Sequence, residues 1–235
     1  MKQKKVILTD IDGIVVKWQS GLPFFAAKHN MPTDVILDMI VDERFRDMSE
    51  IFGCSEEFSQ QLMVEYNNSS FIRFLQGYDD ALVVINRLKH EYDFVSITAL
   101  GNTPTATLNR VANLNTLFPS AFKETMVVDM GESKTGRYLE AKKKYGDRIV
   151  CFIDDLAVNL EDCHNVMSQT PLIHMIRGPR DAAKCSVNVM KNWFDVENWL
   201  KAKSSLEHDC IISEMENAPG FKNSFDDSIM LCTSK

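Results

Sequence analysis

The sequence has 235 residues, of which 45% are hydrophobic and 25% charged, a composition typical of a soluble globular protein with one substantial core and room for a smaller module. Its formal net charge of -7 argues against a surface that binds duplex nucleic acid, because clustered Lys and Arg side chains hold the phosphate backbone. The six cysteines are scattered without a CxxC pair, so neither a zinc cluster nor a disulfide framework is indicated.

The first apolar run is too short for the apolar region of a signal peptide, and no later run approaches the length of a membrane-spanning helix. We therefore expect a cytoplasmic protein without a membrane partner.

Residues 5–16, KVILTDIDGIVV, begin as an apolar run and stop abruptly at Asp10, Asp12 and Gly13. The run does not alternate with polar residues, which favours a central strand of a parallel sheet covered on both faces. Ligands of such sheets bind outside the carboxyl ends of the strands. Although Asp and Gly are also common in ordinary turns, two carboxylates beside a glycine at this edge indicate a site for a hard cation and for acid/base chemistry.

The next segment, residues 17–25, predicts a short irregular hairpin, because apolar residues alternate around a Ser-Gly break. From Pro32 onward the pattern becomes helical, with Thr33 and Ser55 as candidate N-caps. Residues 19–76 are therefore predicted to form a small all-helical insert.

Strands and helices alternate again after Gly77. Strands are predicted at residues 94–98, 125–129, 148–155 and 172–176, with amphipathic helices after Gly77, from Pro104 and over residues 134–145. This order predicts an α/β fold with a doubly wound parallel sheet, formed by residues 1–18 and 77–203. From residue 204 the apolar periodicity is lost, and we expect a flexible tail over residues 204–235.

Polar residues stand at four strand or helix ends of this predicted core: Asp10 with Asp12, Thr98, Lys134, and Asp154 with Asp155. A parallel sheet gathers the carboxyl ends of its strands along one edge, so these residues can converge. Together they provide an anionic nucleophile, an acid/base, phosphate-binding groups and metal ligands, as phosphoryl transfer requires.

These motifs resemble those of the haloacid dehalogenase (HAD) superfamily of aspartate-nucleophile phosphatases, over residues 5–201. The first motif is DxDG at Asp10, the second an apolar strand ending in Thr98, the third a lysine at a helix start, here Lys134, and the fourth FIDD, ending in Asp155. The order of DxDG and DD is the more specific part of the resemblance. The implied fold is a Rossmann-like HAD core.

The resemblance implies that Asp10 attacks phosphorus and forms an aspartyl phosphate, while Asp12 protonates the leaving oxygen and later activates water. Mg²⁺ would be bound by the carboxylates of Asp10 and Asp155 and by the main-chain carbonyl of Asp12. The cation would offset the repulsion between an anionic nucleophile and an anionic phosphate.

The remaining implied roles belong to phosphate-binding and supporting residues. Thr98, Ala99 and Lys134 would bind the transferring phosphoryl oxygens. Asp154 would orient the metal site from behind, and either Asn159 or Asp162 would support it.

The lysine of the third motif has rivals further along the same helix, namely Lys142, Lys143 and Lys144. Lys134 is preferred because it stands at the helix start, and the later lysines are expected on a solvated face. The GESKT sequence around Lys134 also echoes a P-loop, but Ser133 and Val128 occupy the two positions that need glycine, so a nucleoside triphosphatase is excluded.

An insert between the first two motifs resembles the helical cap of the 5'(3')-deoxyribonucleotidase branch of the superfamily. The residues expected to contact a substrate from the cap are Trp18, Arg44, Phe45 and Arg46. We therefore expect a magnesium-dependent phosphomonoester hydrolase acting on a small phosphorylated substrate such as a nucleoside monophosphate. A phosphatase of nucleic-acid ends or sugar phosphates, and a non-catalytic phosphate-binding regulatory module, remain alternatives.

Overall fold

The computed structural model describes residues 3–101 and 103–217, with the backbone alone over residues 207–217. The chain divides into two compact units, Met1–Asp195 and Val196–Lys235. In chain order the strands are β1 (Lys5–Thr9), β2 (Val16–Lys17), β3 (Gln76–Gly77), β4 (Tyr92–Ala99), β5 (Phe122–Val128), β6 (Ile149–Asp154), β7 (Leu172–Met175) and β8 (Asn188–Met190). The α-helices are α1 (Leu22–Lys28), α2 (Asp34–Asp42), α3 (Met48–Phe52), α4 (Glu56–Asn68), α5 (Asp79–Leu88), α6 (Pro104–Leu117), α7 (Thr135–Tyr145), α8 (Ala157–Val166) and α9 (Trp193–Asn217).

The first unit contains a six-stranded sheet of the described residues, in the order β5-β4-β1-β6-β7-β8, with every neighbouring pair parallel. The predicted doubly wound α/β fold is confirmed. β1 lies between β4 and β6, and Thr9 aligns with Ser96 on one side and Ile153 on the other. The residues that follow these three strands therefore meet at one edge of the sheet.

Apolar side chains from the central strands form the core, as expected for strands without polar alternation. Val6 and Leu8 of β1 pack with Val95, Ile97 and Phe152 of the neighbouring strands, and all are fully buried. Helices α7 and α8 cover this cluster through Tyr138, Ala141, Leu160 and Cys163. This packing holds the strand ends, and the polar residues beyond them, in fixed positions.

The insert begins and ends at a two-stranded ribbon, in which Val16 pairs with Gly77 and Lys17 with Gln76. Between these strands the chain is helical, with short 3₁₀ segments at Trp18–Gly21 and Ser70–Phe74. The local hairpin predicted over residues 17–25 is wrong, because Pro23 stands in the first turn of α1 and the strand partner is distant in sequence. The predicted N-cap at Ser55 is present, with its side chain accepting from the Phe58 N–H.

The second unit begins within α9, which continues to Asn217. The tail predicted from residue 204 is thus helical over residues 204–217, where no Gly or Pro interrupts the sequence. The rest of the predicted tail, residues 218–235, lies outside the described residues. Within the described part of the chain, no helix combines the length and apolar character needed to cross a membrane.

Candidate active site

Asp10 lies directly beyond β1, where its N–H donates to the carbonyl of Ile153 at 2.8 Å. Lys134, the N-cap residue of α7, places its Nζ 2.9 Å from Asp10 Oδ1 and 2.9 Å from Asp154 Oδ2. All three side chains are buried. By contrast, Lys142, Lys143 and Lys144 are exposed in the last turn of the same helix. The structure thus brings the lysine of the third motif, and not its rivals, to Asp10.

The charges in this cluster influence one another strongly. Burial raises the pKa of Asp10 well above its usual value, Lys134 opposes that shift, and the neighbouring carboxylates add to it. Burial also disfavours the charge of Lys134, but the carboxylates of Asp10 and Asp154 outweigh it and raise the pKa of the lysine. Lys134 therefore stays protonated, and further positive charge near Asp10 would favour the carboxylate.

Asp154 uses both carboxylate oxygens within the protein. Oδ2 accepts from Lys134 Nζ at 2.9 Å, and Oδ1 accepts from the Leu156 N–H at 2.9 Å and from Asn159 Nδ2 at 3.0 Å. Asp162 instead accepts from Ser133 Oγ at 2.8 Å. Asn159 and Asp162 were both candidates to support the metal site, and of the two it is Asn159 that contacts Asp154. With these hydrogen bonds fixing its carboxylate, Asp154 is suited to orient Lys134.

Asp155 is buried beside the glycine of the first motif. Its Oδ2 accepts from Arg180 Nε at 2.7 Å, and its main-chain oxygen lies 3.0 Å from His174 Nε2. Burial and the charge of Asp154 raise the pKa of Asp155 to about 6, although Arg180 opposes the shift. Gly13 has φ +78°, and a Cβ there would lie 2.9 Å from Asp155 Oδ2. Glycine is needed for both the turn and the close approach.

Asp12 forms an ion pair with a buried arginine of α6, Arg110. Arg110 Nη2 lies 2.6 Å from Asp12 Oδ1 and 2.7 Å from Oδ2. Thr98, fully buried at the end of β4, has its Oγ1 3.5 Å from Asp12 Oδ2. Arg110 is thus bound to the carboxylate predicted to transfer protons.

A divalent cation is implied by the fold, and the donor set fits one. Asp10, Asp154 and Asp155 each offer a carboxylate oxygen, and these atoms lie within 4.8 Å of one another. Both carboxylate oxygens of Asp154 accept hydrogen bonds within the protein, whereas Asp10 and Asp155 are contacted through one oxygen each, by Lys134 and Arg180, so the side chains best suited as ligands are those of Asp10 and Asp155. Carboxylate oxygens are the ligands that Mg²⁺ prefers, and a cation would counter both the burial and the mutual repulsion that raise the pKa values of Asp10 and Asp155.

A cavity of about 480 Å³ opens above these residues. Its polar lining comes from the sheet edge and includes Asp10, Asp12, Thr98, Lys134 and Asp155, with Ala99 beside them. Its remaining wall is largely apolar, with Trp18, Phe45, Met48, Ile51 and Met63 from the segment between β2 and β3, and Met130, Leu156 and Val158 from the α/β core. The charged residues Arg46, Glu132 and Asp162 also line this wall. The site therefore has charged side chains at its base and an apolar space above them for the rest of a small ligand.

Three of the four predicted cap residues line this cavity: Trp18, Phe45 and Arg46. Trp18 Nε1 donates to Asn67 Oδ1 at 3.0 Å, which fixes its ring. Arg44 lies elsewhere, beside a small adjacent pocket, because the left-handed residue Glu43 turns the chain at the end of α2. Arg44 is therefore absent from the lining of the large cavity, but it lines the small pocket together with Trp18 and Phe45.

Two arginines at the site were not identified from the sequence. Arg110 lies on the buried face of α6, between Ala106 and Leu114 at intervals of four residues. A charged residue on the apolar face of a predicted helix is the sequence signal that could have revealed it. Arg180 follows β7 in a loop without a motif. Its Nη1 donates to the Glu43 carbonyl at 3.0 Å, so it connects Asp155 to the insert.

Solved structures of similar fold are HAD-superfamily proteins. They include the HAD-hydrolase YfnB of Bacillus subtilis, solved with magnesium (TM-score 0.59, 14% identity, 85% of this chain and 100% of that one), and the L-2-haloacid dehalogenase of Xanthobacter autotrophicus (TM-score 0.59, 12% identity, 85% and 99%). A third is the haloacid dehalogenase-like protein SP0104 of Streptococcus pneumoniae (TM-score 0.57, 12% identity, 85% and 100%). At these identities the likeness establishes the fold, a Rossmann-like HAD fold.

No family model matches the sequence. A protein of Enterobacteria phage T4, described as an uncharacterized 32.4 kDa protein in the Gp30-rIII intergenic region, is 46% identical over 197 residues, which are 84% of this chain and 70% of the phage protein. The chain belongs to the family of that phage protein.

Proposed function

We propose that the protein is a magnesium-dependent phosphomonoester hydrolase that works through an aspartyl phosphate on Asp10. The observation that carries this proposal is the position of Asp10 at the base of the cavity, with Lys134 2.9 Å from its carboxylate and Asp12 beside it. A carboxylate in contact with a buried ammonium can approach an anionic phosphate without strong repulsion.

Asp12 favours phosphate esters over haloacids as substrates. A halide leaves as a stable anion and needs no proton, whereas the alkoxide of an ordinary phosphate ester does. Asp12 faces the cavity from two residues beyond Asp10, where a group that serves a leaving oxygen would be needed. The fold does not distinguish the two reactions, because dehalogenases are among the similar structures. The presence of Asp12 in this sequence is the feature that favours phosphoryl transfer.

In the proposed reaction an Asp10 oxygen forms a bond to phosphorus while the bond from phosphorus to the ester oxygen breaks. Asp12 gives its proton to that oxygen, and the alcohol leaves. Asp12 then takes a proton from water, whose oxygen attacks phosphorus; the bond from phosphorus to the Asp10 oxygen breaks, inorganic phosphate leaves and the Asp10 carboxylate is restored. Lys134 and Thr98 contact the transferring oxygens from the sheet edge, together with the backbone at Ala99.

Mg²⁺ would be held by the carboxylates of Asp10 and Asp155 and the main-chain carbonyl of Asp12. It would supply positive charge that offsets the repulsion between nucleophile and phosphate. Asp154 and Asn159 keep Lys134 in place through the contacts at 2.9 and 3.0 Å.

We propose a small substrate, with nucleoside monophosphates preferred, because the cavity of about 480 Å³ has an aromatic and methionine-rich wall that suits a flat base. Sugar phosphates and nucleic-acid ends are the alternative substrates. A non-catalytic phosphate-binding role is the alternative outside enzymology.

The test is a substrate panel measured with Mg²⁺ and with EDTA, using the wild type and Asp10→Asn. The panel contains nucleoside monophosphates, sugar phosphates, p-nitrophenyl phosphate and a 2-haloacid. Phosphate release that needs Mg²⁺ and disappears in Asp10→Asn supports the proposal. Halide release without phosphate release would make the protein a dehalogenase, and binding of phosphate without any turnover would make it a binding module.

A further inference from the structure

Arg110 is an unusual residue to find inside the protein. Its side chain is 0% exposed, and its Nε and Nη1 have no hydrogen-bond partner among the described residues. Removing a guanidinium from water is costly, and a buried arginine with a purely structural role normally uses all of its donors. The contact that compensates here is with Asp12, through Nη2. Its placement therefore serves that carboxylate.

The contact fixes the orientation of Asp12. One nitrogen lies within 2.7 Å of both carboxylate oxygens, which restricts rotation of the group. Arg110 is absent from the cavity lining, whereas Asp12 belongs to it and keeps 18% exposure. The arginine thus approaches from the protein side and leaves the carboxylate accessible to a ligand.

Helix α6 provides a fixed support for this arginine. Asn109 Nδ2 donates to the carbonyls of Asn68 and Ser69 at 3.2 and 2.9 Å, and Asn113 Nδ2 donates to those of Arg73 and Leu75 at 3.2 and 3.0 Å. These hydrogen bonds connect α6, just before and just after Arg110, to residues 68–75 at the C-terminal end of the insert. The position of Asp12 is therefore coupled to a rigid anchor.

We propose that Arg110 is the positioning residue that aims the Asp12 carboxylate at the leaving oxygen, which rests on the proposed phosphatase function. It does not touch substrate. Its contribution is greatest where the leaving group needs a proton, and small where the leaving group departs readily as an anion.

The experiment compares kcat/KM for an alkyl phosphate and for p-nitrophenyl phosphate in Arg110→Gln, since kcat/KM covers the steps up to departure of the alcohol. For the alkyl ester we expect a loss of about 10²-fold, the scale of general acid catalysis, against less than about tenfold for p-nitrophenyl phosphate. Arg110→Lys, which keeps the charge, should recover part of the loss. Arg148→Gln is the matched control, because Arg148 stands at the opposite, amino end of β6 and contacts the Lys4 carbonyl.

A double-mutant cycle separates positioning from general damage. In an Asp12→Asn background, Arg110→Gln should change kcat/KM for the alkyl ester by less than about threefold, because the group through which it acts is gone. Equal losses on both esters, or losses that multiply in the double variant, would overturn the inference. If Arg110→Gln does not fold, the same comparisons with Arg110→Lys decide the matter. A wild type without activity on any phosphomonoester would refute the proposed function itself, which is a different result.

Discussion

Asp10 carries the proposed chemistry, and its charge is unfavourable for the folded protein because burial raises its pKa. Asp10→Asn should abolish turnover while leaving stability equal to or above that of the wild type, since the amide keeps the shape and removes a desolvated charge. Activity assays with urea denaturation check both parts. Retained turnover would rule out an aspartyl phosphate on this residue.

Lys134 is expected to matter for folding as well as for catalysis. Lys134→Ala leaves the buried carboxylates of Asp10 and Asp154 without their ammonium and should lower the free energy of unfolding by about 3 kcal/mol, with loss of phosphate binding. The control is Lys143→Ala on the exposed face of the same helix, which should be nearly silent. Comparable effects of the two changes in urea denaturation would contradict the assigned position of the third motif.

At the scale of helices and strands, the parts of the site that follow strands could be predicted because a parallel sheet fixes where its strand ends lie. Asp10, Thr98 and Asp155 were found in this way, and Lys134 by its place at the start of a helix. Arg110 was missed because its partner is distant in sequence and its helix shows no motif. The ribbon of β2 and β3 was missed for a similar reason: its pairing spans the whole insert.

The loop after β7 lies close against the end of α2, and this contact can be tested with glycine substitutions. A Cβ at Gly178 would lie 2.4 Å from the Glu43 carbonyl oxygen, so Gly178→Ala should cost about 1–3 kcal/mol of stability through overpacking. At Gly136, inside α7, an added Cβ meets nothing within 4 Å, and alanine there should stabilise by about 0.5–1 kcal/mol. Urea denaturation curves of the two variants should move in opposite directions.

For the molecule as a whole, a bound cation should increase stability, because it binds the folded site and relieves its carboxylate repulsion. We expect Mg²⁺ to raise the Tm relative to EDTA by an amount that grows with concentration. The increase should largely disappear in Asp155→Ala, which removes one expected ligand. An equal rise of Tm in that variant would indicate that the cation binds elsewhere.

Substrate choice should depend on the insert, since in the proposed reaction the residues at the strand ends contact only the phosphoryl group. Trp18→Ala should reduce kcat/KM for nucleoside monophosphates more than for small generic esters, because the lost ring lines the apolar wall. Phe24→Ala is the control, as that ring is 65% exposed and outside the cavity lining. Equal losses on all substrates with Trp18→Ala would remove the support for a nucleotide substrate.

The short ribbon of Val16–Lys17 and Gln76–Gly77 also has an evolutionary consequence. Because the two ends of the insert lie side by side there, a segment of different length or sequence could be exchanged between them without altering the register of β1, β4 or β6. Genetic recombination at these two points would change the insert and leave the strand ends of the sheet unchanged. The same points are natural junctions for building chimaeras of this protein with the similar protein of phage T4.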